Sequence, residues 1–176
     1  MSRYEQPAYA VISASDGYEI RSYEEQLVAE TTVAGEFEST GNLAFQRLAG
    51  FIFGRNSENT RMSMTVPVTV SPSREGHHLN RFVIERAYSE ETVPSPLDDS
   101  IRVVKLPPEH VAALPYRGGR RESRFRRAEA ELLRALDRDG VAVTGPAVLA
   151  VYSGPATPRP LKRNEVLIPV EPTIPP

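Results

Sequence analysis

The chain has no cysteine in its 176 residues. That excludes a disulfide, a thiolate nucleophile and a cysteine-based zinc site, and it fits a reducing compartment. No stretch approaches the roughly 18 apolar residues that a membrane-spanning helix needs. The start, Met1-Ser2-Arg3-Tyr4-Glu5-Gln6-Pro7, is polar and has no signal-peptide core. A cytoplasmic protein with no membrane partner is expected. Neither sign of charge dominates: 21 basic residues stand against 23 acidic, for a net charge of −2. Bulk electrostatic attraction to nucleic acid therefore has no basis. Enzyme signatures are missing too. There is no Gly-x-Ser-x-Gly, no Gly-x-Gly-x-x-Gly after a strand and no His-Glu-x-x-His. A binding protein is expected rather than an enzyme, with no catalytic residue and no metal ligand assigned.

What the chain does have is length for one good core and many breaks. At 19.5 kDa it reads as a single domain over 1–176. Its ordered core is expected over about 8–170, with 171–176 as a tail. Sixteen prolines mark loops and strand ends, because proline cannot donate to a ladder. Strands are expected over Ala8–Ser13, Tyr18–Tyr23, Leu27–Ala34, Arg61–Val70, Arg81–Ala87, Ile101–Leu106, His110–Tyr116, Ala147–Tyr152 and Glu165–Val170. Asp16-Gly17 signals a hairpin. A helix is expected from about Asn42 to Phe53, capped by Thr40 or Asn42 and ended by Gly54. A second is expected from about Arg120 to Arg138, stopped by Gly140.

Each half of the chain thus reads strand, strand, helix, strand, strand. Ile20-Arg21 before Val28-Ala29 is echoed by Ile101-Arg102 before Val111-Ala112. The fold class expected is α+β: duplicated ββαββ units, pseudo-twofold, forming a twisted antiparallel sheet or open barrel with two main helices.

The most informative stretch is Arg61-Met62-Ser63-Met64-Thr65-Val66-Pro67-Val68-Thr69-Val70. As a strand it would place Met62, Met64, Val66, Val68 and Val70 on one face. Around it stand Tyr18–Tyr23, Val28–Thr31, the helix Ala44–Asn56, then Tyr152, Pro155, Pro158 and Arg163-Asn164-Glu165-Val166. This order resembles the SOUL haem-binding protein family from about Tyr9 to Val170. The resemblance implies the same duplicated α+β barrel and a soluble carrier or buffer for haem or another tetrapyrrole. The fold also resembles effector-binding domains of bacterial regulators, some of whose relatives are hydrolases.

Haem needs apolar walls, cations near its propionates and often an axial ligand. Phe45, Leu48, Ala49, Ile52, Met62 and Met64 could supply the walls, and the family is similar in placing a tetrapyrrole there. Arg47, Arg55 and Arg61 flank the region and could meet carboxylates. The plainer alternative is a helix packed on a sheet with surface arginines. Only three histidines exist, His77, His78 and His110, and none precedes residue 77. The first two fall in an expected polar loop. An axial histidine in the first half has no counterpart, which leaves Met62, Met64 or water for the iron. The expected partner is a small-molecule tetrapyrrole, bound by a monomer or weak oligomer. Two other functions stay open: a binding module for another hydrophobic, even cationic, small molecule, or a small hydrolase using buried Glu30 or Glu165 with Tyr23 or Tyr152.

One motif stands outside these readings. Arg117, Arg120, Arg121, Arg124, Arg126 and Arg127 place six arginines in eleven residues at a helix start. They oppose the helix dipole. A solvated face is the plain account. A phosphate or carboxylate ligand beside Gly118-Gly119 is the sharper one.

Overall fold

A computed structural model describes residues 4–154 and 156–172. Met1 to Arg3 of the polar start, Pro155, and the tail from Thr173 lie outside the described residues. Nine strands and two long helices follow one another along the chain. The strands are β1 (Tyr9–Ser15), β2 (Tyr18–Tyr23), β3 (Gln26–Ala34), β4 (Val68–Pro72), β5 (His77–Val83), β6 (Ile101–Leu106), β7 (Glu109–Arg117), β8 (Val148–Val151) and β9 (Arg163–Pro169). Helix α1 spans Phe37–Ile52 and α2 spans Glu122–Arg138. The α+β class expected from the sequence is observed, as is a pair of units with one long helix and antiparallel strands in each.

The two compact units are not the two halves of the chain. The first takes residues up to Pro7 and then Glu25–Pro107. Its strands run antiparallel in the order β4-β5-β3-β6. The second takes Ala8–Glu24 and everything from Pro108 onward. Its order is β1-β2-β7-β9-β8, again antiparallel. Each repeat therefore sends its first strand away. β2 precedes β3 but pairs with β7, while β6 precedes β7 but pairs with β3. The sequence echo marks these two strands: Ile20-Arg21 lies on β2 and Ile101-Arg102 on β6.

In the first unit α1 packs on β3 and β5. Leu48, Phe51 and Ile52 meet Ala29, Phe82, Ile84, Ile101 and Met62 in one cluster of buried residues. Burying a side chain of this size contributes roughly 1.5–3 kcal/mol. In the second unit Phe125, Leu132 and Leu136 of α2 are fully buried, and the helix packs on β7 and β9. Strand β1 is different. Every residue of it is exposed, it ends its unit's strand order, and a bulge interrupts its pairing between Val11 and Ser13.

Three local expectations are corrected. Helix α1 begins at Phe37, five residues before Asn42, with Glu36 as N-cap and no side-chain cap. Thr40 is inside the first turn, its hydroxyl donating to the Phe37 carbonyl. The end is as expected, since Gly54 has φ +120°. The stretch 61–67 is not strand; β4 starts only at Val68. Pro67 removes a donor, and Thr65, expected to point outward, is buried with its hydroxyl on the Val83 carbonyl. Finally, His77 and His78 begin β5 rather than lying in its loop.

A buried glutamate sits in each unit. Glu30 on β3 is directly opposite Arg81 of β5 and Arg102 of β6, and accepts from both at 2.9 and 2.6 Å. Glu165 on β9 is 1% exposed and accepts from Arg21 of β2 at 2.7 and 3.1 Å. Arg163 adds a third contact at 3.1 Å. Burial opposes ionisation of both carboxyls, yet the arginines win and hold them below the ordinary glutamate value of 4.5. The stability these pairs supply is complete above that value and drains as pH falls through the lowered folded values. Glu165→Gln removes the buried counter-charge of Arg21, leaving it the half-exposed Glu19 at 3.0 Å, and should cost about 3 kcal/mol in urea unfolding at pH 7. The same variant should lose part of the parent's acid sensitivity. An unfolding midpoint equal to the parent's at pH 7 would show that the pair does not hold β2 in place.

Candidate ligand-binding site

The sequence-predicted site falls on α1 and the segment after it. The apolar residues and the arginines part company there. Leu48, Ala49, Ile52 and Met62 are buried in the core of the first unit, Met62 at 3% exposure. Phe45 and Met64 are half-buried and pack against the same cluster. The Phe45 ring lies 5.5 Å from that of Phe82. This inward face is built from helical spacing: Ala44, Leu48, Phe51 and Ile52 follow the i, i+4, i+7, i+8 pattern.

The outward face of α1 carries what a core-oriented reading passes over. Leu43 and Phe53 are 44% and 47% exposed. At 100° per residue, Leu43, Gln46, Arg47, Gly50 and Phe53 share one side of the helix. The signal was present in the sequence as the i, i+7, i+10 spacing of Leu43, Gly50 and Phe53. Gly50 lets Arg55 lie close, with the place of a Cβ only 3.2 Å from Arg55 Cδ. The Arg61 guanidinium stands over the Phe53 ring, 5.0 Å from its centroid.

Arg47 and Arg55 also line a cleft of about 170 Å³ with Phe51, Leu97, Asp98 and Ile101. Asp98 is held below its ordinary value mainly by hydrogen bonds from Ser100, with smaller contributions from Arg47 and Arg55. Its Oδ1 is occupied by the Ser100 amide and hydroxyl. Among the described residues Arg47, Arg55 and Arg61 form no salt bridge. Three cations thus border an exposed apolar stripe, an arrangement that suits a flat apolar anion. The cleft alone is smaller than the roughly 300–1,000 Å³ of a pocket enclosing such a ligand.

The histidines lie elsewhere in the pattern. His77 Nδ1–H donates to the Glu75 carbonyl oxygen at 2.9 Å. His78 is half-buried, edge-on to Phe37 at 5.5 Å. His110 is on β7 opposite Ser22. Helix α1 has no histidine. Among the described residues no cluster of three His, Cys, Asp or Glu could hold a metal ion.

The hydrolytic reading requires a carboxylate free to take a proton. Glu30 and Glu165 are both committed to arginines, and both are held ionised. Around Glu165 the second unit stacks Tyr9 on Tyr23 at 5.0 Å, Arg21 over Tyr9 at 4.6 Å and Arg163 over Tyr152 at 4.8 Å. Burial pushes the Tyr23 and Tyr152 phenols above their ordinary value. This is a structural knot of charge and aromatic faces, filled by the protein's own guanidinium groups.

No curated protein matches the sequence. Solved structures share the fold. The EcmrR C-terminal domain superposes with a TM-score of 0.68 at 13% identity, covering 89% of this chain and 98% of that one. A hydrolase from Listeria innocua gives 0.63 at 14% identity, covering 88% and 91%. In an EcmrR–DNA complex the match gives 0.69 at 12% identity over 89% of this chain and 57% of that one. At such identities the likeness is one of fold alone. The sequence profile described as "SOUL heme-binding protein" matches residues 4–169. The chain belongs to the SOUL heme-binding protein family.

Proposed function

We propose that the protein binds a tetrapyrrole, haem or a free porphyrin, as a carrier or buffer, and holds it on the outward face of α1. The observation that carries this reading is the exposed Leu43–Phe53 stripe bordered by Arg47, Arg55 and Arg61, none in a salt bridge among the described residues. A porphyrin is flat and apolar with two carboxylates on one edge. Its plane would lie against Leu43 and Phe53, where each Å² removed from water contributes about 25 cal/mol. Its propionates would meet the guanidinium groups in charge-assisted hydrogen bonds. Leu48, Ala49, Ile52 and Met62 would act as the rigid floor beneath the helix, and Phe45 and Met64 as its margins. Three arginines against the single Asp98 carboxylate of the cleft, and without a salt bridge among the described residues, favour an anionic ligand over the cationic one that a general hydrophobic-binding module would admit.

The iron plays a small part in this reading. Met62 is enclosed in the core and α1 offers no histidine. Binding rests on the plane and the propionates, so a metal-free ring should serve nearly as well.

Two experiments test this. Leu43→Glu and Phe53→Glu sit on exposed positions and should fold normally, yet weaken hemin binding by about tenfold or more in a Soret titration. Arg47→Glu and Arg61→Glu should weaken it by about tenfold each, the worth of one hydrogen bond to a charged group. Unchanged affinity in all four variants would move the site away from α1. In the second experiment, the triple variant His77→Ala, His78→Ala, His110→Ala should keep most hemin affinity while retaining its fold by circular dichroism. Protoporphyrin IX, followed by its fluorescence, should bind comparably to hemin. Loss of hemin by the folded triple variant would make histidine ligation the better account.

A further inference from the structure

The arginine run at the start of α2 has no part in the α1 site, and the second unit leaves polar groups there unsatisfied. Tyr116 on β7 and Asn164 on β9 are register partners. Asn164 is 0% exposed; its Nδ2 donates to the Gly118 carbonyl at 2.8 Å, while its Oδ1 has no hydrogen-bond partner among the described residues. The Tyr116 hydroxyl is buried and, among the described residues, also without a partner. Orphaned buried polar groups are rare, because each costs the desolvation of a group that water would otherwise satisfy.

The surroundings of this pair are cationic. Arg120 is half-buried and forms no salt bridge among the described residues. Burial pulls its guanidinium below the ordinary value, and the Tyr116 phenol opposes that pull. Arg120 and Arg124 are the charges acting on Tyr116, whose phenol burial pushes up to about 12. The Arg124 guanidinium lies where a Cβ on Gly118 would be, and Gly118 has φ +117°. Only glycine allows both the backbone turn and that approach. Nothing lies within 4 Å of a Cβ position on Gly119, so the backbone there is open. Helix α2 starts directly after, with Arg121 as N-cap and no side-chain cap on its first turn. Of the six arginines, Arg126 is neutralised by Glu122 and Glu129.

We propose that Tyr116, Asn164, Arg120 and Arg124, with the first turn of α2, form a binding site for a phosphate group, either as free phosphate or as the end of a phosphomonoester. The donors are the Tyr116 hydroxyl, two guanidinium groups and helix amides, which together suit a tetrahedral oxyanion. The acceptor matters as much. Asn164 Oδ1 needs a donor: inorganic phosphate keeps at least one O–H throughout the neutral range, and a phosphomonoester keeps one below its second pKa, near 6. Sulfate and carboxylate bring none. The site therefore selects phosphate over sulfate.

Calorimetric titration with inorganic phosphate at constant ionic strength tests this, with sulfate in parallel. Phosphate should bind at least about tenfold more tightly than sulfate. Tyr116→Phe and Arg120→Gln should each weaken phosphate by about tenfold or more, and Arg134→Gln, exposed further along α2, should not change it. Tyr116→Phe is the decisive variant. It deletes only an orphaned hydroxyl, so without a ligand it leaves stability unchanged or raised and the fold intact. Equal affinity for sulfate and phosphate, or full phosphate affinity in folded Tyr116→Phe and Arg120→Gln, overturns the proposal and leaves a solvated cationic face. Glycerol phosphate separates the two sources: binding as tight as phosphate marks a site open to phosphomonoesters, and binding of phosphate alone marks a closed site for the free ion.

Discussion

A carboxylate inside a β-sheet is tolerable only if its counter-charge arrives with it. Both units are organised around that requirement. Glu30 and Glu165 are buried, and each meets an arginine from the strand that its unit receives from the other repeat: Arg102 on β6 and Arg21 on β2. A slip of one residue would turn the arginine to the opposite face and leave the glutamate alone. The same slip would turn the strand's apolar side chains, Ile20 and Ile101 among them, out of the core. The ion pair thus adds a charge penalty to the register that hydrophobic packing already specifies. It also explains why the Ile-Arg dipeptide recurs at 20–21 and 101–102: in both repeats it supplies the strand's apolar anchor and its charged key.

The same economy shapes α1. Its inward face is committed to Phe82, Ile84 and Ala29, and a helix so held presents its other side in a fixed orientation. Leu43 and Phe53 are therefore positioned by residues on the opposite side of the helix. In the proposed mode of binding, buried Leu48 and Met62 would contribute rigidity, while exposed groups would supply contact and charge. Such a division between floor and surface would let a small unit hold a large flat molecule without an internal cavity to match.

Legibility in the sequence followed the range of the interactions. Local signals were read correctly: Asp16-Gly17 as a hairpin, Gly54 and Gly140 as helix ends, with φ of +120° and +69° at the latter two. The start of α1 was missed because Glu36 caps it with backbone geometry alone, without the serine, threonine or asparagine that usually marks a helix start. The alternation over 61–70 suggested a strand, but alternation cannot report that Pro67 breaks the ladder or that the Thr65 hydroxyl turns inward to a carbonyl. The exchange of β2 and β6 was out of reach, since Arg21 and Glu165 are 144 residues apart. The outward stripe on α1 was legible in principle. Apolar residues on nearly every side of a helix suggest burial all round, which masks the stripe in the sequence pattern. The placement of the arginine run could be read, but the unsatisfied partners beside it, Tyr116 and Asn164, come from β7 and β9 and meet only in the folded sheet.

Strand β1 carries a different implication. It ends its unit's strand order with all seven residues exposed, Val11 and Ile12 among them, a form that ordinarily invites another chain to add a strand. The bulge between Val11 and Ser13 divides that free edge into two short runs twisted relative to each other. An incoming strand could match one run only by mismatching the other. A single extra residue, inserted where it disturbs nothing inside the unit, thereby serves as protection against edge-to-edge aggregation.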